Sequence, residues 1–285
     1  MNPPQGLIAV TRCTSTAGWN AGSIVPRRDP ADISKPAGGS RSGPGLDTGP
    51  MSLTDGWWVL LHGTPLTPAV WDGVAAHLRP RGHVLCPEAA PAGDAGDAAV
   101  ELAAWLASSH GGLPDRMHVV GHSFGGQVAL DLALLAPGRV QALTLICSRD
   151  TPFPAFAEAA AALRRGDPVD PDAALGRWFT AAELRGNGPV VRYARDCLQQ
   201  ADRRSWAAAL EAIAGYDRSD RVAAISVPVR LIAAELDQVS TPAAMSALAR
   251  RLPRANLRVL PGAAHMTPFT DPAALAQLIL HAAGR

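Results

Sequence analysis

Gly121-His122-Ser123-Phe124-Gly125-Gly126 fits the pattern G-x-S-x-G. A serine hydroxyl there can attack a carbonyl carbon if a base removes its proton. The apolar run Met117-His118-Val119-Val120 before it reads as a strand, and Gln127 to Leu135 after it as a helix. A sharp turn between strand and helix strains the serine backbone and exposes its Oγ. Side chains two positions to either side would collide, which accounts for Gly121 and Gly125. Gly126 lets the helix approach the sheet. The bland alternative is an ordinary glycine-rich turn; the strand and helix on its flanks argue against it.

Around such a turn the acid and the base follow the nucleophile, acid first and histidine last. His265 fits the base, standing in Pro261-Gly262-Ala263-Ala264-His265 just past the last expected strand. His62, His77, His83, His110, His118 and His122 precede the nucleophile, and His281 falls in the closing helix. Asp237, in Glu235-Leu236-Asp237, fits the acid that would fix the histidine tautomer and stabilise its imidazolium. Glu235 is its nearest competitor. Asp217, Asp220 and Asp271 lie at helix or linker edges, where capping explains them.

The developing oxyanion needs two backbone N–H donors. Phe124, directly after the nucleophile, is one. The other should come from His62-Gly63-Thr64-Pro65, the loop after the first core strand. Pro65 has no N–H, so Thr64 is the first choice and Gly63 the second. His62 is expected to bond the loop backbone. Leu66, Trp71, Phe124, Phe153 and Met266 flank these loops and are candidate pocket residues.

Short apolar runs must carry these loops. Strands are expected at Trp57 to Leu61, His83 to Cys86, Met117 to Val120, Val140 to Cys147, Val227 to Ala233 and Leu257 to Leu260. Helices are expected at Val70 to Leu78, Ala98 to Leu106, Gln127 to Leu135, Thr241 to Arg251 and Pro272 to Ala283. The alternation makes βαβ units on a parallel sheet, hence an α/β fold. Residues 150–217 interrupt it with Ala-rich helical patterns holding Phe153, Phe156, Trp178, Phe179, Tyr193, Trp206 and Tyr216. A helical insertion there makes a cap over the strand C-termini, the edge where open α/β sheets bind ligands. The expected organisation is a core of 51–149 and 218–285 with a cap of 150–217.

Residues 1–50 hold 15 Gly and Pro and no sustained amphipathic period. They read as a low-complexity, disordered extension. Two other readings are a gene start at Met51 and one or two edge strands through Leu7 to Thr11. No secretory signal is expected, because Met1-Asn2-Pro3-Pro4 lacks a positive n-region. With 26 Lys+Arg against 25 Asp+Glu, the net charge is +1, which argues against a nucleic-acid partner. No apolar run is long enough to span a bilayer, so no membrane partner is expected. Cys13, Cys86, Cys147 and Cys197 form no C-x-x-C pair. Metal and disulfide readings are therefore weak, and a reducing, cytoplasmic compartment is expected.

Together, His62-Gly63-Thr64-Pro65 with Trp71, the Ser123 motif, Glu235-Leu236-Asp237 and Gly262-Ala263-Ala264-His265 resemble the α/β-hydrolase superfamily over residues 55–285. Within it the chain is similar to small capped bacterial esterases of the enol-lactonase, cofactor-free haloperoxidase and pimeloyl-carrier-protein methyl ester esterase groups. The resemblance implies a triad of Ser123, Asp237 and His265 with an oxyanion hole from Thr64 and Phe124. It implies a mostly parallel sheet flanked by helices, and a small ester or lactone as partner, with no cofactor and no metal. Two departures stand out. Pro87-Glu88-Ala89-Ala90-Pro91-Ala92-Gly93-Asp94 replaces the D-x-x-G-x-G-x-S loop of many relatives, and Ala234 stands where they often have Gly. A triad-bearing lyase, cyclase or acyl transferase is the alternative activity, and a non-catalytic binding module the remote one.

Overall fold

The computed structural model describes residues 10–11, 56–88, 95–108 and 114–280. Among them, seven strands form one sheet in the order β1-β3-β2-β4-β5-β6-β7. They are β1 (Val10–Thr11), β2 (Gly56–Leu61), β3 (Gly82–Pro87), β4 (Met117–His122), β5 (Val140–Ile146), β6 (Val229–Ala234) and β7 (Ala255–Leu260). β2 to β7 are parallel, and β1 runs antiparallel against β3. Val10–Thr11 is thus an edge strand, as one of the three N-terminal readings expects. The rest of the extension lies outside the described residues.

Helices α1 (Asp72–Leu78) and α10 (Pro272–Leu280) pack together on one face. α2 (Ala95–Ser108), α3 (Phe124–Leu135) and α9 (Pro242–Arg251) cover the other. Strand side chains alternate between the two cores. Trp58 and Leu60 of β2 pack with Trp71 and Leu78, while Val59 and Leu61 pack with Leu102 and Val128. Covering both faces is what makes these strands continuous apolar runs.

Element boundaries move for local reasons. Pro68 opens a 3-10 turn, Pro68–Trp71, where the α-helix was expected to begin at Val70. β6 starts at Val229 rather than Val227, because Pro228 has no N–H to donate; its carbonyl accepts from Leu143 instead. β5 ends at Ile146 because Cys147 turns into a left-handed conformation, φ 47°.

Between β5 and β6 run α4 (Ala155–Arg165), α5 (Pro171–Trp178), α6 (Ala181–Gly186), α7 (Pro189–Gln200) and α8 (Arg203–Gly215). Asp170 and Asp202 cap α5 and α8, and Thr180 with Glu183 forms a reciprocal capping box on α6. The chain re-enters the core through three ties. Tyr216 donates to the Gln127 carbonyl at 3.1 Å. Arg218 pairs with Asp131 through two hydrogen bonds of 2.7 and 3.1 Å. Arg251 holds the fully buried Asp150, whose carbonyl takes the Arg218 N–H. Asp217 closes a turn on Ser219, and Asp271 caps α10 through Ala274. Of the described helices, none is long and apolar enough to cross a membrane. Cys86, Cys147 and Cys197 are free thiols.

Candidate active site

Ser123 stands between β4 and α3 at φ 53°, ψ −119°, a strained backbone for a residue with a side chain. The glycines around it answer to contacts. A Cβ on Gly121 would fall 2.3 Å from the Gly125 carbonyl oxygen, and one on Gly125 would fall 2.3 Å from the Leu61 oxygen. At Gly126 the obstacle is the Ser148 side chain, 2.3 Å away, in the turn after β5. Ser148 also donates its hydroxyl to the Ser123 carbonyl at 2.8 Å. Nothing in the sequence around Ser148 marks that role; only the pairing of β4 with β5 brings the two turns together.

The loops after β6 and β7 bring Asp237 and His265, the candidate acid and base, together. His265 donates Nδ1–H to Asp237 Oδ2 at 2.8 Å, with both residues buried. Asp237 Oδ1 accepts the backbone N–H groups of Val239 (2.7 Å) and Ser240 (3.0 Å). Burial alone would raise the Asp237 pKa. The His265 charge and hydrogen bond, with the two N–H groups, outweigh it and hold the carboxyl below its ordinary value. Glu235 is spent elsewhere: its Oε2 accepts the Gly262 N–H at 2.7 Å and braces the loop that carries His265. With Nδ1 committed to Asp237, Nε2 is the nitrogen left for proton exchange with a serine.

His122 supports the same loop. Its Nε2–H donates to the His265 carbonyl at 3.2 Å, and its ring meets Phe269 edge-on. Nδ1 has no hydrogen-bond partner among the described residues. Burial, and then the neighbouring His265 charge, push its pKa down to about 3, so the ring is neutral at ordinary pH.

Ser123 and His265 line one cavity of about 160 Å³ with Gly63 and Thr64 of the β2 loop. Gly63 approaches the elbow so closely that a Cβ there would lie 3.0 Å from the Ser123 Cβ. His62 bonds the loop backbone through the Gly63 carbonyl at 2.9 Å. Phe124, adjacent to Ser123, is buried at the start of α3. Of the candidate pocket residues, Leu66 and Met266 line the cavity. Trp71 does not: it is fully buried, edge-on to Phe269, as part of the core. Phe153 does not either, because it packs against Phe156 beneath the Arg149 guanidinium. Phe156, Leu163, Trp178, Trp206, Leu210 and Ile213 from α4, α5 and α8 form most of the apolar wall. The Ala-rich helical pattern of this insertion was legible, but not which helix faces meet the site.

The sequence profile described as "Alpha/beta hydrolase family" matches residues 58–278. The chain belongs to that family. It is 30% identical over 249 residues to a pimeloyl-[acyl-carrier protein] methyl ester esterase of Aeromonas hydrophila, covering 79% of this chain and 94% of the relative. Among solved structures, a thermophilic esterase from Thermogutta terrifontis superposes with TM-score 0.72 at 25% identity, covering 81% and 92% of the two chains. The enol-lactonase of Burkholderia xenovorans LB400 shares the fold, with TM-score 0.73 at 22% identity over 80% and 91%. This α/β hydrolase is therefore a hydrolase with esterase relatives.

Proposed function

We propose that this α/β hydrolase is a serine hydrolase cleaving a carboxylic ester or lactone. The observation that carries the reading is the buried His265–Asp237 hydrogen bond, with His265 and Ser123 lining the same cavity. Ser123 Oγ attacks the carbonyl carbon as His265 Nε2 takes its proton. Asp237 stabilises the imidazolium without being protonated. The N–H groups of Phe124 and Thr64 receive the oxyanion. His265 returns the proton to the leaving alcohol, leaving an acyl-Ser123 ester. Water activated by His265 then attacks that ester and releases the acid. The apolar wall favours a compact hydrocarbon acyl group or ring; a dry cavity of about 150 Å³ suffices for benzene.

The test is intact-mass analysis after fluorophosphonate treatment of wild type and Ser123→Ala, with a panel of p-nitrophenyl esters and lactones. One adduct on wild type, none on the variant, and turnover in the panel support the reading. An adduct without hydrolysis would move the activity to acyl transfer or lyase chemistry. No adduct would leave a binding module.

A further inference from the structure

Cys147 is a buried nucleophilic side chain beside the site that the acyl-transfer sequence leaves unused. It follows β5, and its backbone N–H donates to the Ile232 carbonyl of β6 at 2.9 Å. Its φ of 47° is a left-handed conformation that any residue but glycine adopts at a cost. Ser123, at the end of the adjacent strand, is held the same way. The result at position 147 is a thiol aimed at the acid. The Cys147 sulfur, an Asp237 carboxylate oxygen and a His265 ring nitrogen all lie within 4.8 Å of one another. Burial, and then the Asp237 charge beside it, push the thiol pKa well up, so Cys147 faces the carboxylate as a protonated S–H.

A carboxylate offers about four lone-pair sites. Asp237 already receives His265 Nδ1–H and the N–H groups of Val239 and Ser240. We propose that Cys147 is a positioning residue that supplies the fourth donor to Asp237 and so tunes how strongly Asp237 supports the His265 imidazolium. The inference rests on the triad reading. A donor to the carboxylate draws charge away from the bond to His265. A weaker donor leaves more charge facing the ring, which favours the imidazolium and raises the pH at which His265 loses its proton. The other titratable groups packed on the pair are His122, at the end of β4, and Arg149, on the same turn as Cys147. His122 stays neutral down to about pH 3, and the Arg149 charge acts on Asp237 but does not titrate in the working range.

The experiment compares wild type, Cys147→Ala and Cys147→Ser as full chains. Ala and Ser bear the same left-handed backbone as Cys, so the series varies the donor: none, S–H, and the stronger O–H. The readout is the acid limb of kcat/KM against pH for one p-nitrophenyl ester, with thermal unfolding and fluorophosphonate labelling alongside. The expected order of the limb is Ala highest, then Cys, then Ser, in steps of about half a pH unit. KM should stay within about twofold. Coincident limbs in three labelled, active proteins would overturn the inference. So would shifts of Ala and Ser in the same direction, which would make the thiol a space-filler. If wild type takes no label, the triad reading itself fails and this inference falls with it.

Discussion

The strand-end turns and the helical insertion build the two halves of one cavity by different means. Along the sheet edge each group is fixed by several short polar contacts: Asp237 by His265, Val239 and Ser240, and the elbow carbonyl by Ser148. The insertion's share of the wall is mainly apolar packing, with Leu163, Trp206, Leu210 and Ile213 among its contributors. Directional bonds hold atoms to within tenths of an ångström, as proton transfer demands. Apolar contacts select volume and tolerate repacking. Chemistry should therefore fail sharply when the turns are altered, while alteration of the insertion should retune selectivity.

The sharpest break is Ser123→Ala. We expect kcat to fall about 10⁴-fold or more, with thermal unfolding nearly unchanged because alanine fits the same turn. Steady-state assays beside calorimetry check this. A variant with residual turnover above a few per cent would mean that the chemistry lies elsewhere in the cavity.

Asp237→Asn comes next. The amide keeps the shape but cannot accept Nδ1–H as a carboxylate does, so the histidine loses its tautomer lock and charge partner. A loss of about 10²- to 10⁴-fold in kcat, with KM within a fewfold, is expected. Glu235→Gln should cost far less, since it braces Gly262 and does not touch the ring. Equal losses in the two variants would reverse the assignment of the acid.

A third prediction concerns pH and stability. His122 is neutral in the folded protein down to about 3 but protonates near 6.5 when unfolded. The folded state thus binds fewer protons between these values. The contribution is complete above about pH 6.5 and is lost as pH falls toward 3. At pH 4.5 the loss is about 2–3 kcal/mol, or roughly 5–10 °C in Tm. In His122→Phe this part of the acid sensitivity should vanish. A scan of unfolding temperature from pH 7.5 to 4.5 on both proteins reads it directly, with His118 shifting the same way in each.

The contrast between the halves also explains what could be read from the chain. Ser123 stood out as a candidate because a tight turn demands particular residues: Gly121 and Gly125 have no room for a Cβ. His265 and Asp237 became candidates through their place at the ends of later strands. The parallel core was visible because strands buried on both faces must be continuous apolar runs. Ser148 and Cys147 were not, because their partners sit on other strands and no local pattern encodes strand order. Trp71 and Phe153 were misplaced for a related reason. Proximity in sequence to a candidate site loop says nothing about which way a side chain turns, and both turn into packing. The insertion's helices could be recognised, but their apolar faces are satisfied equally by neighbours and by a cavity.

The smallest expected effect tests the insertion. Leu210 on α8 lines the cavity wall and is almost fully buried. Leu210→Trp should fill part of the cavity without disturbing the strand-end turns. The kcat/KM for esters with longer acyl chains should drop about tenfold, while an acetyl ester should stay within about twofold, since one or two methylenes of misfit are worth about 1–3 kcal/mol. The ratio of the two substrates is the readout, because it cancels any general loss of folded enzyme. A parallel fall for both esters would show that the insertion holds the reacting groups as well as the acyl chain, and the division between the two halves would not stand.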